Sequence, residues 1–371
     1  MLKTEKKELL INLLVLCFVI IIPFSIFEIS LRILEPKPKY SRYRGNEFVF
    51  YEYNDTLGWF NKPNASGNFI MPDSVSYIKI NSIGLRDIEY YPSSKKIIQF
   101  YGDSFTWGYG VNDIDRFTNV FSQEVEKNIP NKYEVMNFGV TGYGTDQEYL
   151  LLKRKGILYN PLIVIFNYHN DVYDVALDLN YTYPKPFFIV KDGKLKLTNV
   201  PVPKKDNWTD RSEPLQKKTW LRYLTYIDNK VFRGSRVLNF IRSRSEHLFS
   251  NRYSAAYYNK TLAVIDLLLL ESKNEVEKIG GKFVVVLLPD KEQVYGQANT
   301  TEIDHLVNFG KQNNITVINL LSDLKEITKV NKSESNLYFN VDSHFSVKGN
   351  KVVGEFIYKR LIEKGVLKVE E

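Results

Sequence analysis

The chain is poor in the residues that build covalent or metal-dependent frameworks. It has one cysteine, Cys17, and four histidines among 371 residues. A single cysteine excludes an intrachain disulfide and a metal site made only of cysteine ligands. No set of His, Asp and Glu has metal-ligand spacing, so we predict a mechanism that uses neither a metal nor another cofactor. The fold must therefore be stabilised by packing, for which 44% hydrophobic residues are ample.

Long runs of one charge are also missing. The formal net charge of +7 comes from Lys and Arg residues scattered along the chain. Without a basic stripe or a recognised motif, this excess favours an anionic partner only weakly. We predict no nucleic-acid partner.

One long apolar run stands out, residues 9–27, "LLINLLVLCFVIIIPFSIF". Its length matches the roughly 20 residues that a helix needs to cross a bilayer. A cleaved signal peptide is the alternative, but no small-residue cleavage site comes after the run, and a helical pattern continues through Glu28, Leu31 and Leu34. We predict a single-pass anchor in the membrane.

The membrane orientation is indicated less directly by the flanking charges. More Lys and Arg residues lie after the apolar run than before it, which points against export of the C-terminal part of the chain. Large C-terminal domains nevertheless translocate despite such flanks. We expect the domain after the anchor to be extracytoplasmic.

Composition divides the chain into four parts. Residues 1–8 form a short tail, and residues 9–34 contain the anchor and its exit. Residues 35–94 comprise a charged, proline-containing linker and an extension of short strands that we expect to pack on the main domain. Residues 95–371 form the main domain, with an insertion at about 173–253 that includes a hairpin-like segment turning at Asp192-Gly193.

The main domain alternates short apolar runs with helical segments. The runs lack polar alternation, as is typical of strands buried on both faces. Parallel strands need crossover connections, so the pattern predicts a five-stranded parallel sheet in a three-layer α/β/α arrangement. The runs are "KIIQFYG", "YEVMNFG", "PLIVIFNY", "KFVVVLLP" and "ITVINLL", and the helical segments are 115–128, 146–156, 254–279 and 303–312.

Polar residues lie just after the ends of these strands, where ligands of open parallel sheets bind. Ser104 comes after the first strand, and the segment "NVDSHFSVKGN" near the C-terminus supplies His344 and Asp342. A serine becomes nucleophilic when a base takes its proton and a third group orients that base. In an extended segment residues i and i+2 point the same way, so Asp342 can orient His344 toward Ser104. The backbone N–H groups of Ser104 and Gly142 and the side chain of Asn170 are suitable donors for an oxyanion.

The succession "GDSFTWG", "NFGVTGYGT", "NYHND" and "DSHFS" resembles the four blocks of the SGNH (GDSL-type) hydrolase superfamily, in the family's order, across residues 95–363. The resemblance implies a membrane-anchored serine ester hydrolase with Ser104 as nucleophile, His344 as base and Asp342 as acid. It also implies that Gly142 and Asn170 complete the oxyanion hole. Most of the superfamily has D-x-x-H, whereas this chain has Asp342-Ser343-His344, which is similar to envelope-polysaccharide O-acetyltransferases of the same superfamily.

Aromatic and polar residues beside the blocks have two interpretations. Trp107 and Tyr143 can stack on a sugar ring or pack in the core. His169 can line the site or be a packed, hydrogen-bonded histidine. We consider all three as substrate-binding candidates, and we interpret Asp103 as a structural cap for the turn.

The expected function is a membrane-tethered esterase that acts on acyl esters, with acetyl favoured, of extracytoplasmic carbohydrate. Alternatives are an O-acyltransferase that modifies an envelope glycan, with a possible membrane acyl-donor partner, a lipid esterase, or a non-catalytic tethered binding module. The carbohydrate substrate is implied by the resemblance alone.

Overall fold

The computed structural model describes residues 2–34, 47–173, 175, 177–180, 183–204, 237, 255–296, 298–330 and 336–368. Two compact units divide the chain. One comprises residues 1–41 and 212–257, and the other comprises residues 42–211 and 258–371. The predicted linker around residues 35–46 and most of the predicted insertion after residue 204 lie outside the described residues.

The first unit begins with helix α1, Leu2–Leu34, which contains Pro23. The predicted anchor, residues 9–27, lies within this helix. Among the described residues, no helix meets the combined requirements of length and apolar character for a membrane span.

The second unit starts with two short antiparallel strand pairs, in the region where short strands and loops were expected. A 3-10 turn at Glu47–Phe50 precedes them. The first pair is β1, Tyr51–Asn54, with β2, Gly58–Asn61, and the second is β3, Ser66–Ile70, with β4, Val75–Lys79. Phe50, Phe60 and Phe69 are buried in the same hydrophobic core as the central sheet. The extension therefore packs on the main domain.

The predicted five-stranded parallel sheet is present, and every predicted strand belongs to it. Its order is β13-β12-β7-β5-β6, with all neighbours parallel. The strands are β5, Lys96–Gly102; β6, Tyr133–Asn137; β7, Ile163–Tyr168; β12, Lys282–Leu287; and β13, Thr316–Asn319. Residues of the inner strands β5, β7 and β12 are almost all buried, which explains their continuous apolar sequences.

Helices connect the strands close to the predicted ranges. Because β–α–β crossovers are right-handed, the strand order puts the helix at Phe117–Asn128 on one face of the sheet. The helices that begin at Thr145, Ala255 and Thr301 then lie on the other face, which gives three layers. Helix α9 packs against α3, where Asn350 Oδ1 accepts the N–H of Phe117 at 3.0 Å. The helices are α2, Ser104–Trp107; α3, Phe117–Asn128; α4, Thr145–Arg154; α5, Ala255–Lys278; α6, Lys291–Tyr295; α7, Thr301–Gln312; α8, Leu321–Val330; and α9, Val347–Glu363.

The described part of the insertion contains two hairpins. Strands β8, Leu179–Asn180, and β9, Tyr183–Pro184, form the first. Strands β10, Phe187–Lys191, and β11, Lys194–Thr198, form the second, and they turn at Asp192-Gly193 as predicted. Both turn residues have positive φ, as a two-residue hairpin turn of this kind requires.

The chain changes direction across the sheet at β5. It moves from β5 outward to β6 and then returns to β7 on the other side of β5. In open α/β sheets, ligands bind at such a switch point, beyond the carboxyl ends of the strands. The loops after β5, β6 and β7 therefore surround the expected location of a site.

Candidate active site

The segment that carries Ser104, here called the nucleophile turn (residues 102–108), runs from the last residue of β5 through α2 to the C-cap of α2, Gly108. Asp103 is the N-cap of α2, and its Oδ1 accepts the N–H of Phe105 at 2.8 Å. A Cβ at Gly102 would lie 2.0 Å from Thr106 Oγ1, so only glycine permits this close approach. The turn thus brings Ser104 to the carboxyl edge of the sheet, and it assigns Asp103 the structural role predicted for it.

Ser104, His344 and Asp342 meet in one hydrogen-bonded chain. Ser104 Oγ lies 2.6 Å from His344 Nε2, although the two residues are 240 positions apart. His344 Nδ1 contacts Asp342 Oδ1 on the other side of the ring. Because a carboxylate only accepts hydrogen bonds, Nδ1 carries the proton and Nε2 is left to accept the serine proton.

The D-x-H spacing is compatible with this arrangement because one carboxylate oxygen makes two contacts. Asp342 Oδ1 accepts the backbone N–H of His344 at 2.9 Å as well as the ring Nδ1–H. Burial raises the pKa of the Asp342 carboxyl, but the charge and hydrogen bonds of His344, aided by Lys291, lower it overall. The acid therefore stays ionised beside the base.

Two aromatic rings fix the plane of the His344 imidazole. Tyr109 stacks on it with 4.4 Å between ring centroids and 25° between planes. Phe105, next to the nucleophile, lies at 4.7 Å and 36°. Because both rings pack on the imidazole, rotation of the base away from Ser104 would cost packing contacts.

The segment that carries the acid and base, here called the acid–base hairpin (residues 337–346), is closed by a bridge between Tyr338 and Phe345. Asp73, in the loop between β3 and β4, accepts the backbone N–H groups of Val341 and Asp342 at about 3 Å, the shortest being 2.8 Å. Lys291 Nζ donates to the carbonyl of Phe339 at 2.6 Å. The extension and α6 therefore hold the hairpin from two sides.

Gly142 and Asn170, the predicted oxyanion residues, lie after β6 and β7 at the same sheet edge. Val140 N–H donates to the Gly102 carbonyl at 3.0 Å, so the loop that contains Gly142 lies beside the nucleophile turn. Gly142 has φ 76°, a conformation that favours glycine, and its carbonyl accepts the Asn180 side-chain amide at 2.7 Å. Asn170 is exposed and has φ 56°, which Asn tolerates better than most residues.

The predicted substrate-binding aromatics lie in the core instead of at the site. Trp107 is fully buried, and its indole N–H donates to Asn61 Oδ1 at 3.1 Å. Tyr143 is fully buried, and its hydroxyl donates to the Trp59 carbonyl. Both rings fill the space between the extension and the sheet, so neither presents a face to a ligand and the core-packing interpretation applies.

His169, the third substrate-binding candidate, lies between two carboxylates. Its Nε2 is 2.8 Å from Asp290 Oδ1, and its Nδ1 is 3.4 Å from Asp103 Oδ2. The ring packs on Phe105 with 4.1 Å between centroids. His169 thus contacts two residues of the nucleophile turn, Asp103 and Phe105.

Arg86 supports the nucleophile turn, and sequence reasoning missed this role. Its buried guanidinium donates to the carbonyls of Trp107 at 3.0 Å, Gly108 at 2.5 Å and Val111 at 2.6 Å, and it pairs with Asp113. Burial lowers the pKa of Arg86 to about 10, although Asp113 opposes this shift, so the group is charged at neutral pH.

Arg86 lies in the segment "NSIGLRDIEY", before the first block, and nothing in that segment indicates its carbonyl partners. Asp73 and Asp290 had no sequence signal at all, because their contacts depend on loops that meet only in the folded chain. No group of three or more His, Cys, Asp or Glu side chains in the described part of the chain is arranged to hold a metal ion.

Comparisons with known proteins give structural matches only. No family model and no curated protein matches the chain. The acetyl xylan esterase AlAXEase is similar at 13% identity, covering 72% of this chain and 100% of that chain, with TM-score 0.41. A lipase/acylhydrolase from Enterococcus faecalis is similar at 15% identity, covering 74% and 99%, with TM-score 0.39.

A third similar structure is the two-domain esterase CEX, described as active on acetylated mannans. It matches at 11% identity, covering 75% of this chain and 51% of that chain, with TM-score 0.38. Because the identities are at most 15% and the TM-scores at most 0.41, these matches assign no activity to the chain. A functional assignment must depend on the geometry of the site.

Proposed function

We propose that the protein is a serine ester hydrolase whose catalytic residues are Ser104, His344 and Asp342. The proposal is based on the 2.6 Å contact between Ser104 Oγ and His344 Nε2, with Asp342 on the opposite ring nitrogen. Three residues that are common in catalysis lie in the order nucleophile, base and orienting acid. A core histidine without a catalytic role would not need a serine and a carboxylate on its two nitrogens.

The proposed reaction proceeds through an acyl-enzyme. Ser104 Oγ attacks the ester carbonyl carbon while His344 Nε2 takes the hydroxyl proton. The proton then passes to the leaving alcohol as the ester C–O bond breaks. Water then attacks the acyl carbon while His344 takes one of its protons. The bond between that carbon and Ser104 Oγ breaks, His344 gives the proton to Oγ, and the carboxylic acid leaves.

The charge that develops on the carbonyl oxygen needs donors in fixed positions. The backbone N–H groups of Ser104 and Gly142 and the side-chain amide of Asn170 are the proposed donors. Their loops come after adjacent strands, and the Val140–Gly102 hydrogen bond ties two of these loops together. Loops that follow adjacent strands at one sheet edge can bring these donors to the same point, which supports the proposal.

The proposed substrates are short acyl esters, above all acetyl esters, of carbohydrate outside the membrane. The resemblance in the four sequence blocks supports this class. We further propose that residues 9–27 tether the enzyme to the membrane, on the basis of their apolar sequence. The catalytic domain would then be extracytoplasmic.

Acyl transfer is the second candidate because Asp342 and His344 have D-x-H spacing. In a transferase, a glycan hydroxyl would replace water as the acceptor of the acyl group, and the proton of that hydroxyl would pass to His344. The same catalytic residues serve both reactions, so acceptor chemistry distinguishes them.

The test uses the full chain purified in mild detergent. We expect it to hydrolyse p-nitrophenyl acetate and acetylated oligosaccharides, and we expect Ser104→Ala to lose this activity. The matched control is Ser74→Ala, which removes a serine whose hydroxyl donates to the Gly110 carbonyl. Acylated product in the presence of an unmodified oligosaccharide would indicate transfer, and preference for long-chain esters would indicate a lipid esterase.

Absence of all ester turnover by a folded wild-type chain would contradict the proposal. It would favour a tethered binding module. Equal turnover by wild type and Ser104→Ala would contradict the assignment of the nucleophile.

A further inference from the structure

His169 has both ring nitrogens directed at carboxylates. Nε2 faces Asp290 at 2.8 Å, and Nδ1 faces Asp103 at 3.4 Å. Nε2 makes a hydrogen bond with Asp290, and Nδ1 lies within ion-pair distance of Asp103, so a protonated ring with an N–H on each nitrogen suits this position best. Burial by itself lowers the pKa of His169, but the hydrogen bonds and charges of Asp103 and Asp290 raise it to about 10.

The two carboxylates begin two different helices. Asp103 caps α2 one residue before Ser104, and its second oxygen holds the N–H of Phe105. Asp290 caps α6 in a capping box with Gln293. The His169 ring therefore links the start of α2 to the start of α6.

Phe105 contacts both His169 and the base, His344. Its ring lies 4.1 Å from the His169 ring and 4.7 Å from the His344 ring, measured between centroids. The positive charge of His169 is consequently separated from the base by one aromatic ring. A change in the charge of the Asp103–His169–Asp290 group should change the electrostatic potential at His344.

Two other acidic groups influence this environment. Glu302 on α7 faces His169, and burial raises its pKa while the hydrogen bond from Tyr168 and the His169 charge oppose the rise. Glu148 on α4 faces Asp103, and burial together with Asp171, Asp103 and Asp146 raises its pKa well above the ordinary value. A charged His169 therefore offsets the negative charge of Asp103, Asp290 and Glu302.

We propose that His169 is a positioning residue, whose imidazolium ties Asp103 to Asp290 and balances their charge beside the Phe105 ring that packs on His344. This inference rests on the proposed function, because it concerns how the same nucleophile and base are held. It adds that the charge of this group controls the pH range in which His344 is unprotonated and can accept the Ser104 proton.

The test measures the second-order rate of labelling by a fluorophosphonate probe as a function of pH, for the full chain. The midpoint of the acid limb reports protonation of the base. His169→Gln makes the group one unit more negative, which favours the protonated base, so we expect the midpoint to rise by about 0.5 to 1 pH unit. We also expect the plateau rate to fall about tenfold because the nucleophile turn loses a contact.

The charge argument predicts opposite signs for two variants. Asp290→Asn makes the group one unit more positive and should lower the midpoint by about 0.5 to 1 pH unit. The double variant restores the net charge and should return the midpoint close to the wild-type value. A role confined to packing would not produce this reversal of sign.

The matched control is His305→Gln, which breaks another His–Asp pair. His305 Nε2 lies 2.9 Å from Asp266 Oδ1, between α7 and α5. We expect its labelling profile to match wild type. Unchanged midpoints in His169→Gln and Asp290→Asn, or shifts of the same sign in both, would overturn the proposal; if His169→Gln does not fold, Asp290→Asn decides the outcome alone.

A second readout separates failure of this inference from failure of the proposed function. The chain has four histidines, so 13C-labelled histidine side chains give a small set of NMR signals that single variants can assign. We expect the His169 ring to remain an imidazolium at pH 8. A neutral His169 would overturn the inference, whereas a wild type that the probe does not label would overturn the proposed function.

Discussion

The nucleophile turn and the acid–base hairpin hold their catalytic groups in different ways. In the nucleophile turn, Thr106 and Trp107 are fully buried and Ser104 is only 9% exposed. In the acid–base hairpin, the side chains of Asp342 and His344 are 28% and 19% exposed, and Val341 is 37% exposed. Core packing therefore fixes the nucleophile, whereas the segment that carries the base and acid is held by polar contacts near the surface, in addition to the two rings that pack on His344.

This difference determines which changes affect stability and which affect activity. The buried turn is held by the Arg86 guanidinium and by the Asn137 side chain, which donates to the Thr106 carbonyl at 2.9 Å, so damage there should destabilise the fold. The hairpin is held by Asp73 and Lys291, so damage there should misplace His344 while the fold survives. Four predictions test this contrast, beginning with the largest expected effect.

Asp342→Asn should lower kcat by about 10³- to 10⁴-fold. An amide at position 342 can donate to His344 Nδ1, which favours the ring tautomer with the proton on Nε2 and prevents it from accepting the Ser104 proton. Steady-state ester hydrolysis measures the loss, and thermal unfolding should show a fold close to wild type. Asp304→Asn, an exposed carboxyl on α7 that accepts the Thr300 hydroxyl, is the control. Wild-type kcat in Asp342→Asn would contradict the assigned role.

Arg86→Leu should lower the free energy of unfolding by about 3 to 5 kcal/mol. It leaves the carbonyls of Trp107, Gly108 and Val111 buried without their donor. Urea denaturation measures the change. Lys351→Gln is the control, because the side chains of its ion pair with Glu355 are 68% and 47% exposed and the pair should contribute less than about 1 kcal/mol. Equal losses in the two variants would contradict the contrast between buried and exposed anchors.

Asp73→Ala should lower kcat by about 10- to 100-fold, because the N–H groups of Val341 and Asp342 lose their acceptor and the base shifts. The free energy of unfolding should fall by only about 1 kcal/mol. Asp73→Asn keeps one acceptor oxygen and should give an intermediate kcat. A kcat that is unchanged in both variants, with stability also unchanged, would show that the hairpin does not depend on this contact.

The smallest expected effect is on acid stability. The pKa of Asp342 is lower in the folded protein than in the unfolded chain, so its ionised form stabilises the fold above the unfolded pKa of about 3.9. This contribution is lost as pH falls through the lower folded pKa. The free energy of unfolding should thus decline less steeply for Asp342→Asn than for wild type between about pH 5 and pH 2. Parallel pH curves would contradict the sign of the shift.

The sheet could be predicted because each strand has a local signal. The runs that became β5, β7 and β12 are continuously apolar, since both of their faces are covered, and helical periodicity separates them. The hairpin at Asp192-Gly193 was predictable for a similar reason, because the turn requires positive φ at both positions. These strands and this hairpin could be predicted because each depends on the residues of its own segment.

The supporting residues of the site could not be predicted, because their roles depend on contacts between distant segments. Asp73 looks like an ordinary loop acid, and Arg86 looks like a surface charge before its carbonyl partners are known. Trp107 and Tyr143 are close to the blocks in sequence, yet their side chains point into the core that the extension completes. Proximity in sequence identified the chemistry of the blocks but not the direction of each side chain.

Mass spectrometry of the full chain after reaction with a fluorophosphonate probe tests the central claim most directly, because it reports which hydroxyl the protein activates. We predict one adduct, located on Ser104, which His344→Ala reduces strongly while circular dichroism shows an intact fold. A folded wild-type protein that forms no adduct, or forms it at another residue, would contradict the account.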